Sequence, residues 1–285
     1  MARLFVNQLT VIDFSFLDKD RGVVGESWIV DIELHGELDE QGMVFDFGSV
    51  KKEIKQFIDN HIDHRLLVPI KSRGCKISYI HENDLLIHFP LSAGARISHQ
   101  SPSEAVLLVE TEKIEIAHLT KELQYQLLDQ LPENINNIAI TLRTESIEGA
   151  YYQYTHGLQD HLGQCQRIAH GHRSKIEISI DGKRNPTLED HWANRLADSY
   201  IATEGHIVEI SNINGIPHTR LAYSAAQGDF SITLPSAQVF TIPEVSTVEN
   251  IAKCLAEYTA NKNSGNIVIK AFEGVNKGAF DTPPS

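Results

Sequence analysis

Between His156 and His172 the chain places four histidines and one cysteine in seventeen residues, HGLQDHLGQCQRIAHGH. Neutral imidazoles are metal ligands, so such a density invites a test of which rings can converge. The segment runs into Lys175-Ile176-Glu177-Ile178-Ser179-Ile180, whose alternation predicts a strand with one buried face. Side chains at i and i+2 share a face, so His170 and His172 point inward with Ile176, Ile178 and Ile180. His156 ends a second, aromatic strand that carries Tyr151, Tyr152 and Tyr154. Three histidines with one open position are what a catalytic zinc site uses, and Zn²⁺ is the expected cofactor. Histidines also cap loops and line core edges; Cys165, five residues before His170, and the aromatic strand weigh toward the metal.

Length and composition bound what this cluster can serve. A chain of 285 residues holds two domains of ordinary size, and 41% apolar with 22% charged residues is a globular composition. No apolar run reaches membrane-spanning length, and Asp13 interrupts the opening MARLFVNQLTVIDF before a secretory core could form. Three well-separated cysteines, Cys75, Cys165 and Cys254, point to a reducing compartment, with the cytoplasm as the expected location. The net charge of −13 argues against a nucleic-acid partner, because phosphates need a basic surface. Arg167, Arg173 and Lys175 concentrate positive charge beside the histidines and could serve an anionic substrate; they read equally well as solvated strand and loop charges.

The elements that must hold these residues occur twice, at an offset of about 145 residues. Val24-Gly25-Glu26 and the strand Trp28 to Leu34 parallel His170-Gly171-His172 and its isoleucine-rich strand. Tyr79 to Pro90 parallels Tyr223 to Pro235, and a glutamate, Glu104 or Glu249, follows each proline by fourteen residues. The boundary falls near Gly149, giving domains 1–148 and 149–285. Amphipathic helices are expected over Asp46 to Asp59 and Glu189 to Ile201. Further helix starts are expected at Ser101-Pro102-Ser103-Glu104 and Ser246-Thr247-Val248-Glu249. Antiparallel strands with two helices on one face make an α+β unit, so the fold class is α+β with two such units, each built on an antiparallel sheet.

The order of aromatic strand, His-x-Leu, cysteine loop and His-Gly-His strand resembles the 6-pyruvoyltetrahydropterin synthase family, which includes the 6-carboxytetrahydropterin synthases of queuosine biosynthesis. The resemblance implies zinc on His156, His170 and His172, with Cys165 as proton acceptor. HGELDEQGMVFDFGSVKKEIKQFIDNHIDHRLL, residues 35–67, resembles further family blocks and carries the family's Asp-His relay onto Asp63 and His64. The first copy has Val24 and Glu26 where the second has its His-Gly-His ligands, and the second has Glu204-Gly205-His206 at the place compared with the relay. Asp190-His191 is read as incidental. One site composed of two half-sites follows. The family's pterin-anchoring glutamate would be Glu145 or Glu273. Its tunnelling fold joins sheets into a barrel on oligomerisation, so a homo-oligomer is expected.

The function implied is a zinc-dependent lyase acting on dihydroneopterin triphosphate or a related pterin, with a pyruvoyl or carboxy product. A non-catalytic pterin- or purine-binding scaffold that keeps a metal is the alternative. A zinc hydrolase is a third reading, but no glutamate in a His-Glu motif supplies its base. Residues 70–100 and 209–243 read as insertions that form extra hairpins near the pocket.

Overall fold

Alternating apolar residues build a long opening hairpin, β1 (Ala2–Asp18) and β2 (Gly22–Gly36), paired antiparallel from Ala2↔Gly36 to Asp18↔Gly22. The computed structural model describes residues 2–81 and 83–283. Asp46 caps the next element, its side chain accepting from Ser49 N. The helix runs through α1 (Phe47–Ser49), a π-helical turn (Val50–Ile54) and α2 (Lys55–His61). Val50, Ile54, Phe57 and Ile58 form the expected stripe and bury against Ile12, Phe14, Val30 and Ile32 of the hairpin. β3 (Leu66–Pro69) then lies parallel to β1. After β4 (Lys76–Tyr79), β5 (Asp84–Pro90) and β6 (Arg96–Pro102), β7 (Val106–Val109) returns parallel to β3. α3 (Ile116–Leu128) leads to β8 (Ile135–Thr144), antiparallel to β2. The first sheet therefore has the order β7-β3-β1-β2-β8.

β9 (Tyr151–His156) and β10 (His170–Ile180) open the second part, with β11 (Lys183–Arg184) folded back on β10. α4 (Pro186–Leu196) and β12 (Ser199–Thr203) follow. Then come β13 (Ile207–Ile213), β14 (Ile216–Ala225), β15 (Gly228–Pro235) and β16 (Val239–Ile242). α5 (Val248–Ala260), β17 (Ile267–Phe272) and β18 (Gly278–Asp281) complete the chain. This sheet runs β16-β12-β9-β10-β17-β18, matching the first strand for strand except for β18. Both sheets are mixed rather than purely antiparallel, because β3, β7, β12 and β16 run parallel to their neighbours.

Three local expectations are corrected. Ser101-Pro102-Ser103-Glu104 starts no helix: Ser101 and Pro102 end β6, residues Ser103–Ala105 make a single 3₁₀ turn, and α3 begins at Ile116 without a side-chain cap. The apolar run Val106–Val109 takes the chain into β7 instead. The helix expected over Glu189 to Ile201 is shifted toward the N-terminus. Asn185 caps it by accepting from Leu188 N, Pro186 opens it, and Asp198 at φ 53° follows its last turn, so Tyr200 and Ile201 are strand residues. Pro235 corresponds to Pro102 at the end of a matching strand rather than to Pro90. The start expected near Ser246 is present one residue later, where Thr247 accepts from Asn250 N.

The segments read as insertions do form hairpins, and the hairpins merge. β15 pairs with β6 from Ser231↔Gln100 to Thr233↔Ser98, giving a six-stranded sheet β13-β14-β15-β6-β5-β4 fed by both parts of the chain. Its buried face, with Ile87, Ile97, Ile232 and Leu234, packs with Leu17, Leu66, Ile168 and Tyr200 into a core of its own.

Where the hairpins β1–β2 and β9–β10 cross, Gly25 and Gly171 meet back to back. A Cβ on Gly25 would stand 1.8 Å from Tyr154 O, and one on Gly171 2.6 Å from Gly25 Cα. Only glycine permits that approach. Beside it the hydroxyls of Ser15 and Thr155, both buried, are 2.8 Å apart. This crossing brings residues of β1 against the histidines of β9 and β10.

Candidate active site

His156 and His170 are opposite each other in the β9–β10 ladder, and His172 faces Tyr154 two residues on. All three rings are essentially inaccessible to water. His156 Nδ1 lies 2.7 Å from Ser246 O and His170 Nδ1 3.0 Å from Arg167 O. A carbonyl only accepts, so both Nδ1 atoms carry protons and both Nε2 atoms present lone pairs. His172 Nδ1 lies 3.2 Å from Asp13 Oδ1. One ligand nitrogen from each ring falls within 4.8 Å of the others, and His170 Nε2 is buried without a hydrogen-bond partner.

That arrangement fits zinc. Nitrogens on a tetrahedral zinc, bound at ~2.0–2.1 Å, stand roughly 3.3 Å apart. The His156 and His172 Nε2 atoms are 3.3 Å apart. Burial, together with the charge of neighbouring imidazoles, pushes His156 and His170 well below the usual histidine range, toward the neutral form a metal requires.

Asp63 and His64 arrive from the other half of the chain. His64 N donates to Asp13 O at 2.7 Å, and Asp13 N donates to Asp63 Oδ1 at 2.8 Å. His64 Nδ1 sits 2.6 Å from Asp63 Oδ2, and its ring centroid is 5.0 Å from that of His170. The backbone of His64 is left-handed, φ 55°, a conformation uncommon for a side chain of this size and of the kind that collects at functional sites. Cys165, half-buried in the turn Gln164–Gln166, completes a second cluster with His64 and His170 in which one ligand atom per residue again lies within 4.8 Å. Burial opposes a charge on His64, but hydrogen bonds to Asp63 and Cys165 outweigh it and raise the ring to about 10, so it is an imidazolium at neutral pH.

Six of the eight residues singled out from sequence, Asp63, His64, His156, Cys165, His170 and His172, thus converge. Glu273 joins them, its Oε1 3.7 Å from His172 Nε2. Glu145 is placed differently: its carbonyl accepts from Arg173 Nη1 at 2.8 Å, and one carboxylate oxygen is buried without a partner. A cleft of about 540 Å³ opens beside Asp63 and His64, lined also by Lys52, Lys55, Gln56, Asp59, Asn60 and Gln164, with Lys55 ion-paired to Asp59. Asp13 was missed from sequence. It is 3% exposed, and although burial raises a carboxyl, His172, Lys277 and Ser27 hold this one well below the carboxylate range. An acid inside the apolar run Val11 to Leu17 was the available signal, since a buried charge needs partners.

The register also identifies the matching positions in the first sheet. Ser15 pairs with Gly25 and Leu66, as Thr155 pairs with Gly171 and Tyr200, so Phe16, Val24 and Glu26 stand where the three histidines stand. By the same register the counterpart of His64 is Asp198, also left-handed at φ 53°, and that of Asp63 is Ala197. The comparison with Glu204-Gly205-His206 is therefore corrected; those residues form a 3₁₀ turn after β12. Polar side chains fill this second location: Arg21 Nε donates to Asp198 at 2.8 Å, Arg21 Nη2 to Gln153 Oε1 at 2.7 Å, and Gln153 Nε2 to Glu26 Oε2 at 3.0 Å.

Desolvation pushes the Glu26 carboxyl up to about 7, against Ser27 N and the charges of Arg173 and Arg21. The folded chain therefore holds a proton that the unfolded chain releases between pH 4.5 and about 7. Stability contributed by Glu26 falls as pH rises through that window, by on the order of 3 kcal/mol in total. Glu26→Gln is expected to flatten this part of the profile, measured as the urea midpoint between pH 5 and 8. Parallel profiles for parent and variant would contradict it.

A sequence profile described as 6-pyruvoyl tetrahydropterin synthase matches residues 10–78 and 145–277. The first segment contains Asp63 and His64; the second contains the three histidines, Cys165 and Glu273. Two relatives described as "Putative 6-carboxy-5,6,7,8-tetrahydropterin synthase" are similar to the chain. The one from Pyrococcus abyssi is 24% identical over 131 residues, 45% of this chain and 73% of the relative. The one from Pyrococcus horikoshii is 23% identical over 134 residues, 46% and 74%. Among solved structures, 6-pyruvoyltetrahydropterin synthase of Plasmodium vivax overlaps with a TM-score of 0.41 at 19% identity, over 51% of this chain and 91% of that one. The Plasmodium falciparum enzyme gives 0.38 at 18% identity, over 50% and 97%. With the profile spanning most of the sequence and both contributions to the clustered site, the chain belongs to the 6-pyruvoyl tetrahydropterin synthase family.

Proposed function

We propose that the chain is a zinc-dependent pterin lyase with one composite site, acting on dihydroneopterin triphosphate or a related reduced pterin. The observation that carries this reading is the convergence of three imidazole nitrogens beside an acid–base pair, Cys165 and His64, drawn from opposite halves of the chain. Residues 1–148 and 149–285 are read as tandem tunnelling-fold units, the first giving the relay and the second the metal ligands. Matching sheet orders support that division. As in the family, a homo-oligomer in which sheets join into a barrel is the proposed assembly. Three mutually unpaired cysteines support a cytoplasmic location.

His156, His170 and His172 would hold the zinc, which acts as a Lewis acid toward the oxygens of the substrate side chain when bound. The rest falls to the protein. Cys165 accepts a proton from a side-chain carbon, and His64, fixed by Asp63 and carried as imidazolium, delivers one at the other end. Glu273, at the rim of the histidine cluster, anchors the pterin by accepting from its amino and ring N–H groups, a fit for a planar carboxylate. Glu145, held at Arg173, is the weaker candidate for that anchor. The anionic tail leaves as triphosphate, or the side chain is cleaved.

Metal analysis of the purified chain followed by mass spectrometry of products from dihydroneopterin triphosphate tests the proposal. About one zinc per chain with a pyruvoyl or carboxy product is expected. Zinc without turnover of any pterin would replace it with the binding-scaffold reading.

A further inference from the structure

Each metal-binding imidazole must keep its second nitrogen protonated, and what accepts that proton fixes the tautomer. For His156 and His170 the acceptors are main-chain carbonyls of the same half, Ser246 O and Arg167 O. His172 differs. Its Nδ1 makes no aligned hydrogen bond and has the Asp13 carboxylate of the other half as its nearest charged neighbour, Oδ1 at 3.2 Å. That carboxylate is itself fixed: Ser27 Oγ donates to Oδ1 at 2.5 Å and Lys277 Nζ to Oδ2 at 3.0 Å. The main chain of the same residue grips the relay, its N–H on Asp63 Oδ1 and its carbonyl on His64 N.

We infer that Asp13 is the positioning residue that joins the two half-sites: its side chain holds His172 in the tautomer that binds metal through Nε2, while its backbone sets Asp63 and His64. The inference rests on the metal reading of the histidine cluster. The chain contains its own counterexample. At the matching position of the second half stands Gln153, which meets Glu26 instead of an imidazole. Carboxylate facing histidine occurs where the ligands are; amide facing acid occurs where they are not.

An Asn at position 13 keeps the shape but turns one N–H₂ toward a donor, either Lys277 or the pair Ser27 and His172. Such amide replacements leave a histidine in the wrong tautomer. Asp13→Asn in the full chain is expected to weaken zinc binding ~10–100-fold by chelator competition. Glu26→Gln, which changes a buried acid at the second location, where Glu26 is the counterpart of His172, is expected to leave zinc affinity unchanged. Long-range ¹H–¹⁵N spectra of the zinc-free wild type should show His172 protonated at Nδ1, a measurement that needs no variant to fold. A folded Asp13→Asn protein with wild-type zinc affinity, or a wild-type His172 with no proton on Nδ1, overturns the inference. A wild-type chain that binds no zinc defeats the proposed function instead, and the His172 spectrum then decides the role of Asp13 alone.

Discussion

Cys165→Ala is expected to keep its zinc and lose turnover by roughly 10²–10⁴-fold, the usual contribution of a positioned acid–base group. The sulfur lies in the cluster with His64 and His170, while the three imidazole nitrogens make a group without it. Metal content should therefore be untouched. His170→Ala is the complement. It removes the ring shared by both clusters, whose Nε2 has no other partner, so metal and activity should disappear together. Metal analysis beside product formation separates the two results, and full turnover by Cys165→Ala would remove the cysteine from the chemistry.

Gly171→Ala should cost about 3 kcal/mol or more, the upper end of overpacking penalties, because the new methyl meets what cannot rotate away. It would stand 2.3 Å from Tyr154 O and 2.6 Å from both Gly25 Cα and Ser15 Oγ. Relief requires the hairpins to separate, which draws Asp13 and His64 from the histidines, so zinc affinity should fall with stability. Gly205→Ala is the control: no atom lies within 4 Å of its Cβ position, and a near-neutral effect is expected in the same urea titration. Equal midpoints for the two variants would mean that the crossing yields.

The histidine cluster could be read from sequence because its information is local. A His-Gly-His at the start of an alternating strand fixes two ring directions, and strand pairing supplies the third. Pairing Asp63-His64 with Cys165 required the family resemblance, since no periodicity relates residues so far apart in the chain. What escaped was set by tertiary contact. Ser101 to Glu104 carries a genuine capping pattern, yet pairing of the strands on either side claims the segment. The end of α4 was obscured because Tyr200 and Ile201 fit a helical stripe as well as a buried strand, and only the left-handed Asp198 decides between them. Merging of the β4–β6 and β13–β15 hairpins depends on a β6–β15 ladder between residues over a hundred positions apart, which nothing local encodes.

That shared ladder and the glycine crossing have a consequence for concentration. When the two halves of such a site, an Asp-His pair and a histidine cluster with its cysteine, sit on separate subunits, thinning the solution takes the site apart. Here both are tethered to one polypeptide, and the local concentration of His64 at Cys165 is set by the fold. Specific activity should then hold constant down to dilutions at which a site shared between separate subunits would already have dissociated.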